Sequence, residues 1–171
     1  MKLLRILALL LLGMWLGAAV FFSASVAPNI FRVLRGADLA NASSLAGAII
    51  SPLLSVLNRA GFEIAIFLLV MSFFLTAGQT LIWRVAHLIS LAVMATTTAV
   101  GHWVIAARMV ALRAAMTLPI DQISPSDERR VAFDGLHRYS VMVFAVAVLA
   151  AAVAFLLIGL NRKPSRPRHL I

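Results

Sequence analysis

Four separate apolar runs decide what this chain can become. They cover residues 6–27 (ILALLLLGMWLGAAVFFSASVA), 62–80 (FEIAIFLLVMSFFLTAGQT), 85–107 and 140–160. Crossing a bilayer takes about 20 residues at about 1.5 Å of rise each, so every run is long enough. Hydrocarbon offers no partner for backbone N–H or C=O groups, and a run that enters it must satisfy them internally as a helix. The expected fold is all-α: a polytopic integral membrane protein with four transmembrane helices, plus one amphipathic helix between spans one and two. Composition agrees, since 63% of the 171 residues are hydrophobic and 12% charged, against about 45–50% and about 25% in soluble domains.

Fifteen Lys and Arg against six acids give a formal charge of +9. Nucleic-acid binders gather such charge on one soluble face. Here the basic residues flank long apolar runs, as they do beside a bilayer, so no nucleic-acid partner is expected. The chain has no cysteine, which excludes disulfides, thiolate zinc sites and a cysteine nucleophile. Lys2 and Arg5 resemble the basic start of a signal peptide. The run that follows exceeds the usual apolar stretch of about 7–15 residues, and Pro28 follows the best small-residue site, so an uncleaved helix is expected.

Between spans one and two, Asn41, Ser43 and Ser44 offer helix caps to the segment LAGAIISPLLSVLNRAG. Its apolar residues recur at helical spacing, Pro52 predicts a kink, and Gly61 predicts the end. Spans two and three are close enough in sequence to form an antiparallel hairpin, with Trp83 and Arg84 at the interface. Ser124, Pro125 and Asp127 read as the start of a helix that runs on through the fourth span. Residues 1–160 form one membrane domain. Residues 161–171 (NRKPSRPRHLI) are basic, contain proline, cannot bury a core and read as a disordered tail.

Orientation follows from charge near the helix ends. With both termini cytoplasmic, Lys2, Arg5, Arg84, Arg162, Lys163, Arg166 and Arg168 lie inside, while eight arginines on the two long connections lie outside. The raw count does not favour this arrangement, but the short terminal segments hold their charges at higher density. The bacterial inner membrane is the expected location. Arg162, Lys163, Arg166 and Arg168 can hold anionic headgroups, each contact being worth about 1 kcal/mol near a negative surface, or can serve only as a topology signal.

Antiparallel spans bring Glu63, His102, His137 and Arg32 to one membrane face. His102 lies 18 residues after Arg84, about 27 Å at helical rise. A carboxylate, two imidazoles and a guanidinium at one mouth can form a proton relay, an ion site or a ligand anchor. The plainer alternative pairs Glu63 with an interfacial arginine and leaves the histidines as polar belt residues. Phe133, Leu136, His137 and Ser140 share a helix face suited to packing or to a partner. Gly13 and Gly17 form a GxxxG pair, which favours close helix approach within the bundle or in a homodimer. His87 falls about four turns from His102, and no HExxH or Met-rich cluster accompanies the histidines, so no metal, haem or other cofactor is expected. No Walker motif, GxSxG or pair of intramembrane acids occurs, and no enzyme is expected.

The segment GMWLGAAVFFSASVAPNIFRVL at 13–34, then AGAIISPLLSVLNRAG, HWVIAARMVALRA and FDGLHRYSVMV at 133–143, resembles a family of small bacterial membrane domains of unknown function. That family is similar to the transmembrane protein 205-like family. The resemblance covers most of the chain except the basic tail. It implies a four-helix integral membrane protein and brings no reaction or catalytic residues with it.

The function expected is that of a small non-enzymatic membrane protein acting through packing with lipids or with partners, in a homo- or hetero-oligomer. The alternative is a transporter or channel subunit for a small solute or an ion such as a metal, using the Glu63, His102 and His137 face.

Overall fold

Each apolar run becomes the inner part of a longer helix. The computed structural model describes residues 2–160, and its four long helices are α1 (Lys2–Gly36), α2 (Ala42–Leu75), α3 (Leu81–Ala115) and α4 (Glu128–Leu160). All four are long and apolar enough to cross a membrane, and no strand occurs among the described residues. Residues 161–171, where the tail and its four basic side chains fall, lie outside the described residues.

Helices of 33–35 residues are about 50 Å long, against a hydrocarbon layer of about 30 Å. The surplus lies at one end of the bundle, because the polar stretches sit at the end of α1, the start of α2, the end of α3 and the start of α4. The opposite end holds the tight turn at 76–80 and the start of α1, where the Arg5 guanidinium donates to the Gly159 carbonyl at 2.7 Å. Gly78 has φ +80° in that turn, a conformation that costs a side-chain-bearing residue energy.

α1 packs against α2 and α4, and α3 also packs against α2 and α4, which closes a four-helix ring. Each helix buries a narrow stripe: Ala8, Leu12, Trp15 and Ala19 on α1; Ala65 and Leu68 on α2; Leu91, Met94 and Ala95 on α3. α4 contributes Ala147, Ala150, Ala151 and Ala154 between Phe144 and Ile158. Small residues on that seam let backbones approach closely, which is how helices gain dispersion energy where lipid removes the hydrophobic drive. Large apolar side chains such as Leu10, Met14, Phe73, Ile82, Leu149 and Leu156 point outward, as a lipid-facing surface requires.

Three local expectations are modified. The amphipathic helix forms, but it runs without a break into span two as α2. Gly61 does not stop it: Gly61 is buried, and a Cβ there would stand 2.8 Å from the Trp15 ring. The glycine admits a neighbouring helix. Asn41 occupies the N-cap position of α2 without a side-chain cap. The Ser44 amide instead donates to the Asp121 carboxylate at 3.0 Å, and the Ser44 hydroxyl accepts from the Ile120 amide at 3.2 Å. α4 begins at Glu128, three residues later than the Pro125 start, because Asp127 takes the capping role and accepts from the Arg129 amide at 2.8 Å.

Two π-helical turns interrupt the regular ladder, Phe22–Val26 in α1 and Val100–Ile105 in α3. The first precedes Pro28. A proline has no N–H and its ring crowds the carbonyl four residues back. The widened turn, closed by Ala27 N–H to the Phe22 carbonyl, carries α1 through that site unbroken.

Candidate functional site

The surplus helix ends enclose a cavity of about 710 Å³. α2 supplies one long wall, the π turn and last turns of α3 a second, and the start of α4 a third. Phe31 and Arg35 from α1 and the 116–121 connection complete it. From Asn58 to Ser44 the α2 wall runs roughly four turns of helix, about 21 Å. Leu54, Met109 and Val110 make the sides apolar.

Arg113 is the central cation. Its guanidinium donates to the Ser51 hydroxyl at 3.1 Å and lies over the Phe133 ring, 5.1 Å from the centroid. Ser51 in turn donates to the Gly47 carbonyl at 2.6 Å. A Cβ at Gly47 would fall 2.7 Å from an Arg113 nitrogen, so the bare backbone there makes room for the guanidinium. Arg113 is half-buried and, among the described residues, has no carboxylate at ion-pair distance.

At the inner end Asn58 is 4% exposed, and its amide has no hydrogen-bond partner among the described residues. Gly101, inside the π turn of α3, faces it: a Cβ there would meet the Asn58 amide at 3.0–3.2 Å. π turns recur at functional sites because the inserted residue re-aims the side chains that follow. Neither Asn58 nor Arg113 stood out in the sequence beyond the charge of the latter, since helix rotation decides what an interfacial side chain faces.

Asp121 closes the outer rim. Burial pushes its carboxyl pKa up. Hydrogen bonds from the Ser43 hydroxyl and from the backbone of Ser44 and Ser43, with attraction from Arg130, outweigh this and hold the group below its usual value. A depressed carboxylate contributes stability that is complete above its ordinary value of about 3.9 and is lost as the pH falls through the lower folded value. Asp121→Asn is therefore expected to speed amide exchange in the first turns of α2 at neutral pH. The difference from the parent chain should vanish once the pH is below the folded value. A difference that persists there would rule out the carboxylate as its source.

The residues singled out in the sequence are not joined to one another. Glu63 accepts from Arg59 at 2.9 Å on the exposed side of α2. The Nδ1 of His102 lies 3.0 Å from the Ser55 hydroxyl, and its ring packs edge-on against Trp103. His137 is exposed and lines the cavity, which Glu63 and His102 do not. Arg32 donates to Asn29 at 2.9 Å and is exposed. Gly13 makes an ordinary contact with Phe155, 3.5 Å from its Cβ position, and Gly17 is exposed with nothing within 4 Å. Within the chain, the close approach of helices falls to Gly61 and Gly101. Among the described residues no three His, Asp or Glu side chains gather to hold a metal ion.

The fold and the cavity define a class: a four-helix protein of membrane-spanning proportions with a largely apolar chamber, carrying a few polar groups, built into one end. More narrowly, the chain belongs to a domain family of unknown function, DUF4149, whose family model matches residues 10–117. That match takes in α2, α3 and most of α1; α4 lies beyond it. No curated protein and no solved structure matches the chain.

Proposed function

We propose that this is a non-enzymatic integral membrane protein that acts by holding lipid, and that the cavity between α2, α3 and α4 is where it does so. The carrying observation is the cavity itself: its volume falls within the range of about 300–1,000 Å³ for small-molecule sites. It combines aliphatic sides with three arginines, Arg35, Arg113 and Arg130, at the level where the helices emerge from the apolar layer. We place the protein in the bacterial inner membrane with both termini cytoplasmic, and treat it as kin to the transmembrane protein 205-like family. Its partners are then lipids, including anionic headgroups at Arg162, Lys163, Arg166 and Arg168, and further subunits that pack on its exposed faces, not nucleic acid.

The absence of covalent chemistry is part of the proposal. The Ser55–His102 pair resembles a nucleophile with its base, but a working pair is oriented by a third group. Among the described residues no hydrogen bond to His102 other than that of Ser55 is present. Passage of an ion or solute along Glu63, His102 and His137 is the weaker reading, because two of the three lie outside the cavity.

Protein extracted in mild detergent should carry inner-membrane lipid into native mass spectrometry, and Met109→Trp, which fills a cavity wall, should release it. Equal retention by both proteins would reject the cavity as the lipid site. Orientation is tested by single cysteines, since the chain has none of its own. Cysteine at Ser126 should label from outside the cell and cysteine at Ser165 only after permeabilisation. Labelling of both from one side would overturn the four-span topology.

A further inference from the structure

We infer that the molecule held in the cavity carries an anionic phosphate or carboxylate, bound by the Arg113 guanidinium, with a second polar group of the same molecule bound by the Asn58 amide. This rests on the lipid-holding role proposed above and names the chemistry of its ligand.

Arg113 is already positioned as a receptor for an anion. Ser51 and the face of Phe133 fix the guanidinium, and a planar fork held in this way offers its remaining N–H groups as a pair, the arrangement that matches two oxygens of a phosphate or carboxylate. The half-buried guanidinium has no carboxylate at ion-pair distance among the described residues, which leaves its charge available to an incoming anion. The nearby acids do not provide a counter-charge. Asp121 is occupied by the Ser43 and Ser44 groups and by Arg130, Asp134 is an exposed cavity wall, and Glu63 is paired with Arg59 outside the cavity.

Asn58 supplies an independent observation. It follows Ser51 by seven residues, two turns along the same face of α2, or about 10 Å. Its amide has no hydrogen-bond partner among the described residues and lines the cavity, so it is available to a polar group of a ligand there. Its neighbour is Gly101, where even a methyl group would crowd it, so the bare backbone of α3 makes room for the amide itself at the edge of the cavity. A ligand with an anion at one level and an ester or hydroxyl some way along, its chain against Leu54 and Met109, meets both groups. Anionic glycerophospholipids and soluble phosphates share the first feature; only the former also carry the acyl chain.

The test uses the full chain in detergent, titrated with short-chain phosphatidylglycerol, with short-chain phosphatidylcholine, and with inorganic phosphate, and read by native mass spectrometry. Arg113→Gln, Asn58→Leu, Met109→Trp and the control Arg138→Gln, which removes the same charge from an exposed position outside the cavity, are compared at matched thermal stability. Phosphatidylglycerol should bind at least tenfold more tightly than phosphatidylcholine. Arg113→Gln should remove that preference, Asn58→Leu should weaken binding severalfold, and Arg138→Gln should change neither. If both lipids bind equally, are lost in Met109→Trp and are unaffected by Arg113→Gln, the cavity holds lipid and the anion assignment is overturned. If inorganic phosphate alone binds, dependent on Arg113, the anion site stands and the lipid role fails. A loss in Arg138→Gln equal to that in Arg113→Gln reduces the effect to surface charge and overturns the proposal.

Discussion

Gly61→Leu is expected to lower the thermal midpoint of the purified protein by several degrees, whereas Gly17→Leu should leave it in place. Gly61 lies under the Trp15 ring, with three ring atoms 2.8 Å from where a Cβ would project. The indole N–H donates to the Leu57 carbonyl at 2.8 Å, and the ring meets Phe144 edge-on with centroids 6.1 Å apart. Trp15 thus ties α1 to both α2 and α4. A side chain at 61 must push it off the helix, and the hydrogen bond cannot survive the displacement. Overpacking costs about 1–3 kcal/mol and the lost bond about 1 kcal/mol more. Gly17 faces outward with open space beyond it, so a leucine there meets lipid. A midpoint unchanged in Gly61→Leu would mean that Trp15 does not seat on α2 as described.

The same pair of glycines marks the limit of what the sequence discloses. Length and hydropathy set the four helices, because a bilayer admits little else. Which glycine packs within the chain depends on helix rotation: Gly13 makes an ordinary contact with Phe155 and Gly17 faces outward, while the solitary Gly61, read as a helix end, is the one seated under a neighbouring helix. Gly61 closes an apolar stretch beside Asn58 and Arg59, a pattern that ends helices in water; against a neighbouring indole the lack of a side chain serves contact instead. The cap of α2 was also out of reach, since Asp121 arrives from 77 residues away while three local candidates stand at 41–44. Glu63, His102 and His137 do sit toward one end, as rise per residue requires. Rise fixes depth alone, and rotation sends Glu63 to Arg59, His102 to Ser55 and His137 to the cavity wall. Asn58 on α2 faces that cavity for the same reason, and so does Arg113, which follows a π turn in α3 that no residue pattern announces.

His87→Leu is expected to move stability the other way, raising the thermal midpoint. His87 is 2% exposed within α3, and its Nε2 has no hydrogen-bond partner among the described residues. Neighbouring polar groups in the buried layer are otherwise engaged: Ser72 donates to the Leu68 carbonyl, Thr76 to the Ser72 carbonyl and Ser90 to the Ala86 carbonyl. A buried polar atom left unbonded carries a penalty of about 1–3 kcal/mol, and replacing it with an apolar group of similar size removes that penalty. Leucine fits the volume and suits a helix interior, so the gain should appear as a rise of a few degrees in the detergent-solubilised protein. His87→Ala separates the two contributions, because it removes the unbonded nitrogen but leaves a void; its midpoint should fall below that of His87→Leu. A fall in His87→Leu itself would show that the imidazole nitrogen is bonded in the membrane-embedded protein and contributes to its stability.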